Sequence, residues 1–132
     1  METMINEPTL SREACASSLK NVLDALYVIS GKWKLAVILS LVQSPRRFNE
    51  IQQQVTGISS KILAKELKDL ELNDFVTRTV YSTTPVSIIY EATEYSKTLK
   101  RVIAELGAWG EMHREKVRDG MRKQTRLRQS NS

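Results

Sequence analysis

Residues 45–95 constrain the fold more than any other part of this 132-residue chain. Two short amphipathic segments, joined at Thr56-Gly57, are followed by two runs rich in Val, Ile, Thr and Tyr. A polar link at residues 82–85 separates the two runs, as is typical of a β-hairpin. This order of elements predicts a helix-turn-helix followed by a two-stranded wing. We therefore expect a mainly α-helical fold with one small hairpin.

The second amphipathic segment, residues 59–73, is predicted to form a helix with two different faces. Ser59 is a suitable N-cap, and Ile58 and Leu63 then stand at the two positions of a hydrophobic staple. At about 100° per residue, leucines gather on one side of this helix and lysines on the other. The leucine side should be buried and the lysine side free. The leucines are Leu63, Leu67 and Leu70, and the lysine face comprises Lys61, Ala64, Lys65 and Lys68.

A row of lysines on a helix is usually only a solvated face. Here the helix follows another short helix and precedes a hairpin, which is the arrangement that places a helix in the major groove of DNA. We therefore predict that residues 59–73 contact DNA through Ser59, Ser60 and the lysine face.

Further DNA contacts are predicted outside this helix. Arg46 and Arg47 stand at the start of the first helix, expected over residues 46–55, where a helix-turn-helix crosses the phosphate backbone. A solvent-facing pair of arginines is an equal alternative. The hairpin tip lacks Lys and Arg, so a wing contact would depend on Arg78 or on the hydroxyls of Thr83 and Thr84.

Apolar stripes also mark the helices that flank this motif. Residues 33–42 are apolar nearly all round, which predicts a helix central to the core. A helix ending near Ile29 and a long helix capped by Thr93 each carry an apolar side, and such sides usually mark an interface. We expect a homodimer interface there, the alternative being packing onto the same chain. Its predicted residues are Leu19, Leu99, Val102, Ile103, Leu106 and Trp109.

The net charge of +5 lies entirely in the last nineteen residues. Seven basic residues and two acidic ones follow His113, whereas thirteen of each sign precede Arg114. We expect a flexible N-terminus over residues 1–10, one domain over residues 11–119, and a disordered basic tail over residues 120–132. Such a tail either adds to the contact with a polyanion or only increases solubility.

Composition argues against several other classes of protein. No apolar run approaches the ~20 residues that a membrane span needs, and the N-terminus lacks a signal pattern, so we expect a cytoplasmic protein. One histidine, His113, and one cysteine, Cys15, cannot form a zinc site within one chain. Neither a glycine-rich phosphate loop nor a nucleophile elbow is present. We therefore expect no enzyme activity, metal or cofactor.

Several spaced motifs resemble those of the HxlR-type transcriptional regulators. They are SGKWK at residues 30–34, PRRFNEI at 45–51, GISSKIL at 57–63, residues 67–76, YEATE at 90–94 and Trp109-Gly110. The resemblance covers residues 19–113. It implies a winged-helix fold related to the MarR group and a homodimer built from terminal helices. It also implies recognition helices in successive major grooves of a pseudo-palindromic operator, ~34 Å apart.

The sequence departs from the family pattern at three positions. Asp74 and Ser96 replace residues that are usually glycine, and Lys20 stands where many members carry a cysteine used in some as a redox or electrophile sensor. Cys15 lies five residues earlier. It could react or bridge to a dimer mate, helped by Arg12, or serve as a small apolar filler.

The sequence is therefore consistent with three hypotheses of function. The first is a homodimeric, sequence-specific DNA-binding regulator. The second is a winged-helix module that binds protein and never reads DNA, and the third is a thiol-based redox regulator acting through Cys15. The operator, the direction of regulation and any small-molecule effector cannot be derived from the residues.

Overall fold

The structure, a computed structural model, describes residues 12–130. The predicted flexible segment at residues 1–10 lies outside the described residues. The elements in order are α1 (Arg12–Ile29), α2 (Lys34–Gln43), α3 (Phe48–Gln54), α4 (Ser60–Leu72), β1 (Val76–Tyr81), β2 (Ser87–Ala92), a 3₁₀-helix (Tyr95–Leu99) and α5 (Lys100–Ser130). The two strands form one antiparallel sheet. The predicted class, mainly α-helical with a hairpin wing after a helix-turn-helix, is confirmed.

The core lies where α2, α3, α4 and the base of the wing meet. α2 is central to it, as its apolar sequence predicted. The three leucines of α4 predicted to be buried are buried, and on α3 Ile51 is buried and Phe48 half-buried. The buried apolar residues are Val37, Ile38, Leu41, Ile51, Val55, Ile58, Leu63, Leu67, Leu70, Phe75, Val76 and Ala92. Burial of these side chains fixes α4 against α2 and the wing.

Two backbone positions with positive φ make the turns at either end of α4. Gly57, at φ 91°, turns the chain between α3 and α4, and a Cβ there would lie 3.9 Å from the Trp33 ring. Asp74 has φ 64° immediately after α4. Asp is one of the few residues with a side chain that tolerates this left-handed region, so the usual glycine is not required.

The wing is tied to the rest of the fold at its base. β1 and β2 pair in register from Val76 opposite Ala92 to Tyr81 opposite Ser87. Arg46 adds a rung outside this hairpin, because its N–H donates to the Tyr90 carbonyl at 3.0 Å and its carbonyl accepts from the Tyr90 N–H at 2.8 Å. Arg46 is therefore extended, and α3 begins at Phe48 instead of residue 46 as predicted.

The predicted disorder of residues 120–132 is wrong as far as residue 130, since α5 continues to Ser130. Continuing an existing helix avoids the cost of nucleation, and Lys, Arg, Gln and Met are good helix formers. Two ion pairs at i, i+3 spacing, Arg118–Glu115 at 2.6 Å and Arg122–Asp119 at 3.2 Å, add support. Residues 131–132 lie outside the described part.

The start of the C-terminal helical region also differs in detail. Thr93, predicted as the N-cap of one long helix, instead lies one residue before Glu94, the N-cap residue of the 3₁₀-helix, and its Oγ1 accepts from the Ser96 N–H at 3.1 Å. No single helix within residues 12–130 is long and apolar enough to cross a bilayer; α1 and α2 reach that length and composition only as a pair bent by 75°.

Candidate nucleic-acid interface

α4 presents the two faces that its sequence predicts. Ser59 is the N-cap, since its Oγ accepts from the Ile62 N–H at 3.2 Å. Leu63, Leu67 and Leu70 are at most 2% exposed. On the other side, the predicted contact residues of the helix are all exposed: Ser59, Ser60, Lys61, Ala64, Lys65 and Lys68. The structure thus brings Ser59 and Ser60 together with the lysine face on one accessible surface.

Two of the three acidic residues of α4 are bound by a lysine from α2. The Nζ of Lys34 lies 2.8 Å from a carboxylate oxygen of Glu66 and 3.7 Å from one of Asp69. The hydrogen bond with Glu66 raises the pKa of Lys34 above its usual 10.5, so the lysine is charged at neutral pH. Lys34 therefore offsets one of the two negative charges on this side of α4, and the lysine face opposite carries three positive charges.

Sequence reasoning missed this role of Lys34. Lys34 belongs to the SGKWK motif, but it lies 32 residues before Glu66 and nothing in the spacing links the two. The only signal was a charged residue at the first position of a helix that is otherwise almost entirely apolar. Such a residue usually has a partner when it is partly buried, and the side chain of Lys34 is only 17% exposed.

A glutamine on α3 holds the start of α4 in place. The side-chain amide of Gln52 donates to the Ile58 carbonyl at 3.3 Å and to the Ser60 Oγ at 3.0 Å. These two contacts span the turn of the helix-turn-helix and fix the first residues of α4 relative to α3. Sequence reasoning did not identify Gln52, because a polar residue on a short amphipathic helix carries no sign of its partner.

The two predicted phosphate contacts of α3 are placed differently. Arg47 is exposed and is the N-cap residue of α3, where its N–H donates to a carboxylate oxygen of Glu50 at 2.7 Å. The guanidinium of Arg46 instead donates through Nε to the Ser40 carbonyl at 2.8 Å and through Nη2 to Gln43 at 3.3 Å. Arg46 thereby binds the last turn of α2, so we do not include it among the proposed phosphate ligands.

The wing places Arg78 beside α4. Arg78 shares the face of β1 that begins with buried Val76, since alternate residues of a strand point to the same side. Its side chain lines an open cleft of about 270 Å³ together with Ala64, Leu67, Lys68, Glu71 and Tyr90. Arg78 therefore adjoins the lysine face.

The predicted hydroxyl contacts at the wing tip are exposed but not equivalent. The Thr83 hydroxyl donates to the Pro85 carbonyl at 2.7 Å, within the turn that joins the two strands. Thr84 is exposed beside it, and no hydrogen bond of its hydroxyl is present in the described part of the chain. The tip thus offers one hydroxyl used within the turn and one turned to solvent.

The predicted interface residues of the terminal helices fall into two groups. Leu99 and Ile103 are half-buried and pack against the core of their own chain, so for them the alternative of internal packing holds. Four others remain exposed, at Leu19 61%, Val102 42%, Leu106 50% and Trp109 58%. α5 contacts the body of the fold through α2 and the 3₁₀-helix, and among its predicted interface residues only Ile103 packs against the core.

The lone thiol and the lone imidazole lie on these same terminal helices. Cys15 is free and exposed on α1. The ring of His113 stacks on that of Trp109, with centroids 5.0 Å apart and planes 7° from parallel. Within residues 12–130 no group of three His, Cys, Asp or Glu side chains is placed to hold a metal ion.

Comparison with known proteins agrees with this geometry. The family described as HxlR-like helix-turn-helix matches residues 28–118. The HTH-type transcriptional regulator YodB of Bacillus subtilis is 39% identical over 88 residues, which are 67% of this chain and 79% of YodB. The regulator YtcD of the same organism is 34% identical over 92 residues, 70% of this chain and 73% of YtcD.

A solved structure extends the comparison to three dimensions. The redox regulator HypR in its reduced form superimposes with a TM-score of 0.69 at 31% identity, covering 75% of this chain and 98% of that chain. The shared part therefore includes nearly all of HypR, whereas a quarter of the present chain has no counterpart there.

Proposed function

Because the chain belongs to the HxlR-like helix-turn-helix family of transcriptional regulators, we propose that it binds a specific operator as a homodimer, with α4 in the major groove. The observation that carries this proposal is the lysine face. Three exposed lysines lie on a helix whose opposite side is buried, and Lys34 binds two of that helix's acidic residues. Such a helix can approach a polyanion with less repulsion from its own carboxylates.

Each contact residue then has a role set by its position. Lys61, Ala64, Lys65 and the two serines at the start of α4 face base edges, where side-chain donors and a small apolar group read sequence. Arg47, Lys68 and Arg78 border this surface and bind phosphates, which position the protein without reading sequence. Thr84 at the wing tip supplies a further hydroxyl donor. Double-stranded DNA is thus the proposed partner.

The homodimer is supported by apolar surface that the single chain leaves uncovered. On α1, Leu19, Val22, Leu23 and Leu26 are each more than 50% exposed. On α5, Val102, Leu106 and Trp109 recur at helical spacing and are 42% to 58% exposed. Contiguous apolar surface of this kind normally marks an interface. A two-fold pair would present two copies of α4 to half-sites ~34 Å apart, as a pseudo-palindromic operator requires.

The test is fluorescence-anisotropy binding to the DNA flanking the gene of this protein, with unrelated DNA as competitor. We expect Lys61→Ala and Lys65→Ala each to weaken specific binding by ~1–3 kcal/mol, because each removes a donor to a base edge. Lys100→Ala is the matched control, since Lys100 is an exposed lysine on α5, away from the lysine face. It should leave specific affinity unchanged.

The same titration separates DNA reading from a protein-interaction module. Tight binding that survives competitor and is weakened only by the α4 variants supports the operator-binding regulator. If both DNAs bind weakly, and Lys61→Ala and Lys65→Ala behave like Lys100→Ala, the lysine face does not read DNA. The module that binds protein would then be the better description.

Thiol sensing through Cys15 is a second candidate, favoured by the exposure of this residue and by the relatives. HypR has been solved as a redox regulator in oxidised and reduced forms, and YodB after treatment with diamide. The test is operator binding before and after oxidant for the wild type and Cys15→Ser. Oxidant sensitivity that disappears in the variant supports sensing. Equal response of the two proteins excludes Cys15 as the sensor.

A further inference from the structure

The last part of α5, residues 114–130, is a helical extension that packs against nothing in its own chain. Every residue from 111 to 130 is exposed. At 1.5 Å per residue the extension is roughly 25 Å long. Matched residues of the family end at 118, so most of this extension lies beyond the part shared with relatives. Any function of the extension would therefore be specific to this chain and not shared across the family.

The charge of the extension is one-sided. It carries seven basic residues and two acidic ones, and both acidic residues are already paired, Glu115 with Arg118 and Asp119 with Arg122. The other five cations have no acidic partner among residues 12–130; they are Arg114, Lys116, Lys123, Arg126 and Arg128. An isolated helix with so much unpaired positive charge repels itself, so a negatively charged partner would stabilise it.

A second copy of the chain offers no net negative charge as that partner. Residues 1–113 carry thirteen basic and thirteen acidic residues, so no acidic excess is available to neutralise the extension. The 3-4 spacing of Val102, Leu106 and Trp109 continues to Lys116 and Lys123 in the extension. Lysines at these positions of two paired helices would repel each other, so pairing along the Val102, Leu106 and Trp109 side would be weaker in the extension.

We propose that this extension binds the phosphate backbone of DNA and forms a second, sequence-independent contact in addition to that of the lysine face. The proposal rests on the proposed function, because that function brings the polyanion to the protein. Cations on exposed flexible side chains release counterions from DNA whatever the sequence, which makes binding steeply salt-dependent. A length of roughly 25 Å is enough to meet several phosphates along one groove edge.

The experiment measures affinity at 50 and 200 mM salt for operator DNA and for an unrelated duplex. In the full-length variant all five unpaired cations are replaced: Arg114→Gln, Lys116→Gln, Lys123→Gln, Arg126→Gln and Arg128→Gln. Gln has nearly the helix propensity of Arg and Lys, so circular dichroism should show the same helix content. The control combines Arg114→Lys, Arg126→Lys and Arg128→Lys, which keeps the charge.

We expect the Gln variant to bind both DNAs more weakly by the same factor and to depend less on salt. For each cation that binds a phosphate in the wild type, its replacement should make the fall in affinity between the two salt concentrations about 3.5-fold smaller. The charge-preserving control should behave as the wild type. An unchanged salt dependence in the Gln variant overturns the proposal and leaves operator reading by α4 untouched, because that is tested by Lys61→Ala and Lys65→Ala.

A membrane surface is the rival anion. Co-sedimentation of the wild type with vesicles of equal parts phosphatidylglycerol and phosphatidylcholine tests it directly. Absence of sedimentation, with the expected change in salt dependence on DNA, supports the phosphate contact to DNA. Sedimentation that the Gln variant abolishes, with DNA binding unaffected, assigns the extension to lipid and overturns the proposal.

Discussion

α4 and α5 both carry basic residues along an amphipathic helix, but they differ in what holds them. α4 buries Leu63, Leu67 and Leu70 against its own chain and has its acidic side bound by Lys34. α5 runs for 31 residues without one buried residue. A helix held by its own core presents a fixed surface. Apart from Ile103, which packs against the core, α5 lacks such contacts, so we expect a partner molecule to stabilise it.

The largest effect is expected where α5 should meet that other molecule. If α5 forms the proposed dimer interface, Leu106→Glu places a charge there where nothing pairs with it, and should convert the dimer to monomers. Light scattering gives the mass. Ala104→Glu, an exposed position on the opposite side of α5, is the control and should remain dimeric. A dimer mass for Leu106→Glu would show that α5 is stable without this contact.

Core substitutions test the other half of the comparison. Leu63→Ala removes a side chain with 0% exposure from α4 and should lower the free energy of unfolding by ~2–5 kcal/mol. Val117→Ala, on the exposed extension, should change it by no more than about 0.5 kcal/mol. Urea unfolding at one fixed protein concentration measures both. Similar losses in the two variants would mean that the extension is packed in solution.

Two ion pairs of nearly the same length, one on α4 and one on α5, should contribute differently to the free energy of unfolding. Lys34→Met leaves Glu66, only 13% exposed, without its partner, and should cost ~1–2 kcal/mol because solvent still reaches the pair in part. Arg118→Met breaks a 2.6 Å pair whose side chains are both 53% exposed, and should cost no more than about 0.5 kcal/mol. Equal costs in urea unfolding would contradict this.

Because the pKa of Lys34 is raised, the stability of the fold should depend on pH in a predictable direction. A lysine whose pKa is higher in the folded state stabilises the fold fully below its unfolded value of 10.5. That contribution is lost as pH rises through the folded value. The difference in stability between wild type and Lys34→Met should therefore shrink only above pH 10.5. A difference that already changes between pH 6 and 8 would point to another group.

A small effect in the stabilising direction is expected from a glycine of α5. A Cβ at Gly120 would meet nothing within 4 Å, so Gly120→Ala should stabilise the helical extension by roughly 0.5–1 kcal/mol through propensity alone. Thermal melting followed by circular dichroism would detect a higher helix content near the transition. No gain would indicate that the extension is already held by a contact.

The same contrast explains which parts of the structure could be predicted from sequence. Local signals were sufficient for α4, since its leucine spacing, the Ser59 cap and the staple of Ile58 with Leu63 all depend on neighbours in sequence. The hairpin and the turn at Gly57 followed for the same reason. Periodicity alone could not show that Leu99 and Ile103 pack inward while Val102 and Leu106 stay exposed, because it defines a stripe but not what covers it.

Contacts between residues that lie far apart in the chain also could not be predicted from the sequence. Lys34 and Glu66 are far apart in the chain, and so are Arg46 and Tyr90. For the basic tail, composition suggested disorder, whereas an uninterrupted run of helix formers after an established helix favours continuation. The polar composition of the tail indicates that its side chains are solvated. It does not determine whether the backbone there is helical or disordered.

The rung between Arg46 and Tyr90 has a consequence for how the DNA-binding part gains and loses order. It closes a loop that contains α3, α4 and β1, and the entropy lost in closing a loop is incurred once for everything inside it. The guanidinium of Arg46 also binds the last turn of α2, so opening the rung would loosen that turn as well. Hairpin and helices should therefore melt and re-form in one cooperative step, and a disturbance at the base of the wing would reach α2 without passing through α4.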